Sequence, residues 1–423
     1  MKPLPRSACV ALVDCNNFYV SCERVFQPRL EKKPVLILSG NDGCVIARSN
    51  ETKALGIGMG VPFFKIKDLV YHNNVEVMSS NFSLYGDMSE RVFNVLHQSA
   101  PQVEIYSIDE AFLPLEGLTP DECLQFAKKL VKKIYRWTGI PVSIGLSSTQ
   151  TLAKAANHLV KKQCIPGGAL ALFSAEEQVQ ALSKIKVQDI WGIGKQTAEK
   201  LKKVGIDTAL KLRDLKNQNS QTLNIQFRRT ILELQGKPMF SFEETPSMRQ
   251  QIIVSRSFAQ KISDFNDIRA AVVEHISNAG QTLREENLVA EALTVFLHTN
   301  RFSDSDYHHA ITLSLPMPSS STKVLLGTAL LALDKIYRPD TQYKKAGVIV
   351  FEISSSRSLQ RDLFNDYSPR EDCLMTTLDD INAIMGRGTL RYGAQGFKQN
   401  WKARSSKRSP PYTTCWEALP IVK

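Results

Sequence analysis

Carboxylates interrupt two segments of this chain that otherwise have the pattern of buried β-strands. The run Ala8–Val13 is apolar and rich in β-forming residues, and Asp14 follows it directly. A second β-rich stretch, Val103–Leu115, contains Asp109 and Glu110. An unpaired buried carboxylate is costly, so these positions require cations or salt bridges if the strands are buried. The pattern alone fits equally well with strand ends and turns at the surface.

Two-metal phosphoryl transfer is one chemistry that requires such a set of carboxylates. Two or three of them converge on cations about 4 Å apart, and Mg²⁺ accepts a few carboxylates together with phosphates and water. Adjacent residues of a regular strand point to opposite faces of the sheet. Asp109 and Glu110 can therefore share one site only if a tight turn or bulge falls there.

Strands and helices alternate around these residues over an apolar centre. The sequence predicts strands at Pro34–Leu38, Cys44–Ala47 and Val142–Leu146 and a short helix at Asn50–Met59. It also predicts an amphipathic helix at Pro120–Thr138, with an apolar face made of Leu124, Ala127, Val131, Ile134 and Trp137. Such alternation is typical of an α/β or α+β catalytic domain.

A glycine turn between two short helical segments marks a change of character further along the chain. The sequence WGIGK at 191–195 precedes a helix predicted at Gln196–Val204. In a helix–hairpin–helix, glycines such as Gly192 and Gly194 form the turn, and backbone N–H groups at the helix start face a phosphate. Lys195 adds positive charge there. An ordinary helical hairpin with a glycine turn is the alternative interpretation.

A polar linker at 242–251 precedes a segment with the order strand, helix, strand, strand, helix, strand. The predicted elements are Ile252–Phe258, Asp264–Glu286, Val289–Thr299, Ala310–Leu315, Thr322–Arg338 and Ala346–Ile353. This βαββαβ order is that of the ferredoxin-like fold. Many functions use that fold, so the order alone identifies none of them.

Charge and cysteine content limit the class of protein. The chain has 423 residues, 53 Lys and Arg against 42 Asp and Glu, and a pI of about 9.2, which favours nucleic acid first and an acidic membrane surface second as partner. Its eight cysteines include no Cys-x-x-Cys pair, which argues against a disulfide scaffold or zinc ribbon. No signal peptide or membrane-length apolar run is visible. We therefore expect several domains of a soluble, cytoplasmic protein.

The last part of the chain combines basic and aromatic residues. Between Gly386 and Lys423 there are eight basic residues against one acidic residue, with Trp401, Tyr412 and Trp416 interleaved. A disordered tail seldom carries so many aromatics. We expect a small module or a segment that folds on a partner.

Three motifs, in this order, resemble those of Y-family translesion DNA polymerases, and most closely the UmuC type, the catalytic subunit of bacterial DNA polymerase V and its plasmid-borne relatives. They are DCNNFYVSCE at 14–23, SIDEA at 107–111 and WGIGK at 191–195. The resemblance implies a multidomain α+β right hand. Its parts would be a palm (1–18 and 80–172), fingers (19–79), a helix–hairpin–helix thumb (173–241), a ferredoxin-like little finger (252–353) and a C-terminal extension (354–423).

The same resemblance implies roles for individual residues. Asp14 and Asp109 would bind two Mg²⁺ ions with help from the Cys15 backbone carbonyl, and Glu110 would complete the site near the primer 3′-OH. Tyr19 matches the aromatic steric gate that excludes a ribose 2′-OH. The nucleotide would also contact Phe18, Lys53 and Lys161. Asn50 departs from many relatives, which have Tyr there.

Error-prone synthesis across damaged template in the SOS response is the function that this family implies, with primed DNA and deoxynucleotides as substrates. Gln360, Leu363 and Phe364, within the peptide 360–364, resemble a sliding-clamp-binding motif. The tail from Asp372 to Lys423 resembles a region associated with a UmuD′-like dimer and RecA. A location in the bacterial cytoplasm, on the nucleoid when DNA is bound, would follow.

Two other functions use similar residues. A two-metal nuclease or nucleotidyl cyclase would need the same carboxylates, and a non-catalytic DNA-binding or assembly protein could retain only the fold. The hairpin, the ferredoxin-like segment and the clamp-like peptide favour extension of primed DNA over the first. Retention of Asp14, Asp109 and Glu110 argues against the second.

Overall fold

The computed structural model describes residues 9–215, 224–242, 248–300, 307–358, 369–386, 388–396 and 401–419. The chain forms two compact units. The first comprises 1–39, 43–245 and 407–423, and the second comprises 40–42 and 246–406.

The α-helices and β-strands of the first unit begin near its N-terminal end. They are β1 (Cys9–Cys15), α1 (Phe18–Phe26), β2 (Val35–Leu38), β3 (Val45–Arg48), α2 (Asn50–Ala54), α3 (Lys67–His72), β4 (Glu76–Ser79), α4 (Phe82–His97) and β5 (Glu104–Ile105). They continue with β6 (Glu110–Leu115), α5 (Pro120–Thr138), β7 (Val142–Ser147), α6 (Gln150–Gln163), β8 (Ala169–Leu172), α7 (Ala175–Lys184), α8 (Lys195–Lys203), α9 (Ala209–Arg213) and α10 (Ile225–Leu234).

A five-stranded sheet in the order β5-β6-β1-β7-β8 forms the centre of this unit. β1 is buried along its whole length, as its apolar sequence predicts, and it pairs antiparallel with both β6 and β7. Alternate residues of β1 belong to different cores. Cys9, Ala11 and Val13 pack in the large core with α4 and α5, whereas Val10 and Leu12 pack on the other face with Phe112 and Ala153.

Close packing of α6 on β7 depends on Gly145. A Cβ at this position would lie 2.9 Å from Asn157 Cα and closer still to the Ala153 carbonyl oxygen, and both belong to α6. The helix therefore lies directly over the sheet face that carries Val10 and Leu12. Position 14 falls on that same face, two residues further along β1.

The remaining elements of the first unit form two smaller groups. A three-stranded sheet, β3-β2-β4, pairs β2 with β3 antiparallel and with β4 parallel. Residues of α7, α8, α9 and α10 share a core with α6 that includes Leu182, Leu201 and Leu234. In this group Gly192 has a φ of +84°, which favours glycine, and Gly194 is the N-cap of α8.

The second unit contains β9 (Gln251–Ile262), α11 (Phe265–Glu285), β10 (Leu288–His298), β11 (His308–Ser319), α12 (Thr322–Ile336), β12 (Tyr343–Ser355) and α13 (Pro369–Met385). The first six have the βαββαβ order that the sequence predicts. Their antiparallel sheet has the order β11-β10-β12-β9, and α11 and α12 share its core.

Some local predictions were wrong. The helix predicted at Asn50–Met59 ends at Ala54, because Gly56 and Gly60 adopt positive φ angles and turn the chain. The buried face of α5 is rotated, since Leu130 is buried and Trp137 is 57% exposed with Lys133 over its ring. Trp137 lies in the last turn of the helix, with Lys133 Nζ 4.7 Å from its ring centroid.

Two parts of the C-terminal tail belong to different units. Residues 388–396 and 401–406 belong to the second unit, with Trp401 in its core, whereas residues 407–419 belong to the first unit. The small module or partner-bound segment expected from the sequence stays a prediction. Within the described residues, no helix is long and apolar enough to cross a membrane.

Candidate active site

Asp14 and Glu110 lie side by side where β1 ends and β6 begins in the five-stranded sheet, and we call this place the acidic edge. They are partners in the β1–β6 register, and Leu12 and Phe112 form the next pair on the same face. Because side chains alternate along a strand, Asp14 and Glu110 therefore point toward α6. The sheet thus places two acidic side chains beneath a helix that carries basic and amide groups.

Three residues of α6 meet these carboxylates. Lys161 Nζ lies 2.5 Å from Asp14 Oδ1, Asn157 Nδ2 donates to Asp14 Oδ2 at 3.1 Å, and Lys154 Nζ lies 2.9 Å from Glu110 Oε2. The positions are three and seven residues apart, so they share one face of the helix. Both carboxylates are held in place by side chains of a single helix.

A tight turn brings Asp109 to the same edge. Residues 107–109 bend between β5 and β6, and Glu110 is the first residue of β6. Ser107 Oγ donates to Asp109 Oδ1 at 2.7 Å and accepts from the backbone N–H groups of Asp109 and Glu110. The backbone of Asp109 also accepts from Cys15 N–H at 2.9 Å. The tight turn that Asp109 and Glu110 need in order to share one site is therefore present, just before β6.

The acidic groups and the lysines of α6 shift the pKa values of their neighbours. Burial raises the pKa of Asp14 to about 7, and the charge of Glu110 raises it further against the opposing effect of Lys161. Burial also raises the pKa of the Cys15 thiol, with additional contributions from Asp14, Asp109 and Glu110. Among the described residues, no three Asp, Glu, His or Cys side chains converge closely enough to ligate one ion. Lys161 and Lys154 instead hold Asp14 and Glu110.

A cleft of about 320 Å³ opens beside the carboxylates. Its lining combines acidic, basic and aromatic groups, namely Cys15, Asn17, Phe18, Tyr19, Ile46, Ala47, Arg48, Lys53, Met59, Ile108, Asp109 and Lys161. All four residues predicted to contact a nucleotide are among them. The cleft therefore brings the nucleotide-binding candidates and Asp109 to one place.

Three cations of this cleft face one another. Burial lowers the pKa of Lys53, and the charges of Arg48 and Lys161 lower it further. Lys53 Nζ lies 2.6 Å from Asn17 Oδ1, and Asn17 Nδ2 donates to Asn50 Oδ1 at 3.0 Å. Arg48 Nε is buried and has no hydrogen-bond partner in the described part of the chain. A cleft lined by mutually repelling cations is suited to an anionic ligand.

Tyr19 forms an aromatic wall of the cleft. Its ring stacks on Tyr85 with centroids 4.4 Å apart, and Phe82 meets it edge-on at 5.9 Å. Burial raises the pKa of the Tyr19 hydroxyl, and so does the charge of Asp109. The ring therefore has a fixed orientation near the acidic edge.

The glycine turn at 191–194 contacts the acidic edge through Trp191. Trp191 Nε1 donates to Tyr106 Oη at 3.0 Å, and Lys154 Nζ lies 4.1 Å from the Tyr106 ring centroid and 5.1 Å from that of Trp191. Lys154 thus sits in an aromatic box while it pairs with Glu110. Lys195, four residues after Trp191, is the first residue of α8 and so lies at its N-terminus.

The chain matches three family models along its length. They are the impB/mucB/samB family at 13–158, the C-terminal domain of that family at 249–363, and a domain of unknown function, DUF4113, at 372–422. Among curated proteins it is 39% identical to UmuC of Salmonella typhimurium, covering 98% of this chain and 100% of that protein. It is 37% identical to ImpB of the same organism over 98% of this chain and 99% of the relative.

The chain belongs to the UmuC-type family of Y-family DNA polymerases.

More distant relatives fit this assignment. This UmuC-type chain is 30% identical to a DNA polymerase IV of Corynebacterium diphtheriae, in a match that covers 59% of this chain and 53% of that relative. Among solved structures, a Y-family DNA polymerase chimera of Dbh and Dpo4 matches with a TM-score of 0.64 and 21% identity, covering 82% of this chain and 99% of that chain. The match to the chimera shows that this chain has the Y-family polymerase fold, which the resemblance of its motifs implies.

Several residues of this UmuC-type site were missed by sequence reasoning. Lys154 and Asn157 precede Lys161 by seven and four positions, so a helix predicted at 150–163 would have placed all three on one face. Arg48 ends β3 and gave no distinguishing pattern. The clamp-like residues Gln360, Leu363 and Phe364 lie outside the described residues.

Proposed function

We propose that this UmuC-type chain is an error-prone translesion polymerase that adds deoxynucleotides to a primer 3′-OH opposite damaged template bases. The observations that carry this are the pairing of Asp14 with Glu110 across β1 and β6 and the position of Asp109 on the turn just before β6. They lie beside a cleft lined by Arg48, Lys53 and Lys161. A growing 3′ end needs the acidic edge, and a triphosphate needs the cationic cleft.

The carboxylates fit two Mg²⁺ ions by their chemistry. They are hard oxygen donors, they lie close enough for each charge to act on Cys15, and the burial of Asp14 makes its negative charge unfavourable without a cation. Asp14, Asp109 and the Cys15 carbonyl would hold the ions, with Glu110 nearer the primer. When bound, Mg²⁺ lowers the pKa of the 3′-OH and neutralises the phosphate charge that develops.

The protein side chains bind and orient the reacting groups. Lys53 and Lys161 would hold the triphosphate, and the positive charge of Arg48, which lines the same cleft, would add to the attraction. Asn157 and Lys154 would keep the carboxylates of Asp14 and Glu110 aimed at the reacting atoms. Fixed geometry of this kind supplies much of the rate enhancement in phosphoryl transfer.

Selection of the sugar would fall to Tyr19 with Phe18 beside it. The Tyr19 ring is held by stacking on Tyr85, so a ribose 2′-OH would meet a rigid aromatic edge. The α8 N-terminus, with Gly192, Gly194 and Lys195, would bind backbone phosphates without regard to sequence.

We propose that the palm comprises 1–18 and 80–172, the fingers 19–79, the thumb 173–241 and the little finger 252–353. For partners we propose a UmuD′-like dimer and RecA on the C-terminal extension and the sliding clamp on 360–364. A cytoplasmic, nucleoid-associated location is part of the same proposal.

Primer extension tests the proposal. The purified chain receives primed template, Mg²⁺ and dNTPs, with UmuD′, activated RecA and clamp added in turn, and we expect the primer to lengthen. Cleavage without extension would support a nuclease instead. Absence of any reaction in all combinations would support a non-catalytic DNA-binding protein.

A further inference from the structure

A short C-terminal segment, Lys407–Tyr412, packs inside the first unit, and we name it the C-terminal strap. Its first residue bonds to the last residue of β4, since Ser79 N–H donates to the Lys407 carbonyl at 3.1 Å and Lys407 N–H donates to Ser79 Oγ at 3.0 Å. Its last residue stacks on Phe26 of α1, with centroids 4.9 Å apart and planes 4° from parallel. The strap is therefore fastened at both ends.

The middle of the strap completes the hydrogen bonds of two buried side chains. Ser409 Oγ donates to Glu23 Oε1 at 3.0 Å and accepts from Asn81 Nδ2 at 2.9 Å. Arg408 donates to Asn81 Oδ1 from Nε at 3.2 Å and from Nη2 at 3.0 Å. Asn81 is the N-cap of α4, and Glu23 lies on α1.

Glu23 is the group that most needs these donors. It is 0% exposed, and burial raises the pKa of its carboxyl group. Besides Ser409, its Oε1 accepts from Tyr85 Oη at 2.9 Å, and Gln27 Nε2 lies 3.4 Å from Oε2. A buried carboxylate that loses one donor becomes less favourable by more than an ordinary hydrogen bond contributes.

A continuous set of contacts leads from Ser409 to Tyr19. Ser409 holds Glu23, Glu23 holds the hydroxyl of Tyr85, and the Tyr85 ring stacks on Tyr19 with planes 13° from parallel. Tyr85 is fully buried, so it can turn only if its hydrogen bond to Glu23 or its packing changes. Glu23 also lies one helical turn after Tyr19 on α1.

We infer that Ser409 of the C-terminal strap is a positioning residue for sugar discrimination, because it fixes the Tyr19 ring through Glu23 and Tyr85. The inference rests on the proposed function, in which Tyr19 excludes a ribose 2′-OH. The strap lies within the match to a domain of unknown function at 372–422, so part of that domain serves the nucleotide cleft of its own chain.

The test measures kcat/KM for a deoxynucleotide and for the matching ribonucleotide in primer extension by the full-length chain with its required partners. Ser409→Ala should lower the preference for the deoxynucleotide by roughly three- to tenfold, since part of the loss of a charge-assisted hydrogen bond reaches Tyr19. Ser409→Thr keeps the hydroxyl and should restore most of the preference. Ser405→Ala, at an exposed serine four residues earlier, is the matched control and should leave it unchanged.

Two combined variants separate positioning from a general loss of structure. Glu23→Gln removes the buried charge, so Ser409→Ala added to it should cause little further loss of preference. In a Tyr19→Ala background Ser409→Ala should have no effect on the preference. Equal loss of both activities in Ser409→Ala, with the preference unchanged, would show a purely structural role and overturn the inference.

Failure of the inference and failure of the proposed function give different results. If Tyr19→Ala lowers the sugar preference but Ser409→Ala does not, only the role of the strap is wrong. If Tyr19→Ala leaves the preference unchanged, the gate role of Tyr19 and the inference built on it are both wrong.

Discussion

Lys154 is the site residue for which the structure makes the most specific energetic prediction. Its Nζ pairs with Glu110 Oε2 at 2.9 Å and lies over the rings of Tyr106 and Trp191. The substitution Lys154→Met removes the charge and keeps a stem of similar length. It should therefore remove the ion pair and the cation–π contacts without opening a large cavity.

The magnitude follows from the exposure of the pair. The side chain of Lys154 is 14% exposed and that of Glu110 is 21% exposed, so the pair is neither fully buried nor open to solvent. Breaking a buried pair costs about 3–5 kcal/mol, whereas exposed pairs contribute about 0.2–1 kcal/mol. Contact with an aromatic face adds about 1 kcal/mol. We expect Lys154→Met to lower the free energy of unfolding by about 3 kcal/mol.

Urea unfolding of the single and double variants with Glu110→Gln measures this. In metal-free buffer the two substitutions should be strongly non-additive, with a coupling energy of about 2 kcal/mol, because each removes the same ion pair. Lys162→Met, at an exposed lysine of the same helix, serves as the control. Additive effects, or a loss no greater than that of Lys162→Met, would refute the proposed coupling of Lys154 to Glu110.

Three further predictions concern packing, charge and DNA contact. Gly145→Ala should lower the free energy of unfolding by about 3 kcal/mol in urea unfolding, because the added Cβ would meet the backbone of α6. Gly86→Ala is the control and should not destabilise the chain, because nothing lies within 4 Å of a Cβ there. Similar effects at both positions would contradict the close packing at Gly145. Because burial raises the pKa of Asp14 from 3.8 to about 7, the folded state binds more protons between these values and stability falls as pH rises through them. Asp14→Asn should therefore stabilise the metal-free chain by up to about 4 kcal/mol at pH 8 and hardly at pH 4, and an unchanged pH profile of unfolding would refute burial of the charge. Lys195→Ala should weaken binding to all DNA sequences alike and reduce the slope of log affinity against log salt by about 1, and an unchanged slope would exclude a phosphate contact.

The sequence predicted the strands of the acidic edge because their signal is local. The apolar run that precedes Asp14 is buried along its length. The sequence SIDEA at 107–111 contains Ser107, the turn residue that Asp109 and Glu110 need. The role of Ser107 follows from its hydroxyl, which bonds the backbone N–H groups of the two residues that follow it. The adjacency of Asp14 and Glu110 depends on strand register, which the pattern of either strand alone does not specify.

Residues that reach the site over a long sequence distance were not predictable in the same way. Lys154 meets Glu110 only because Gly145 allows α6 to approach β7. The tail offered aromatic residues as a sign of structure, but the contacts of its strap with α1 and α4 join residues far apart in the chain. Ser409 and Glu23 are 386 positions apart, and no periodicity connects them.

Asp109→Ala tests the central assignment most directly. With primed template, Mg²⁺ and dNTPs, and the partners that support extension by the unchanged chain, the variant should bind primer–template normally and fail to lengthen the primer. Glu116→Ala, at an exposed carboxylate just beyond β6, should extend as the unchanged chain does. Extension by Asp109→Ala at the unchanged rate would contradict the assignment of this edge as the site of nucleotide addition.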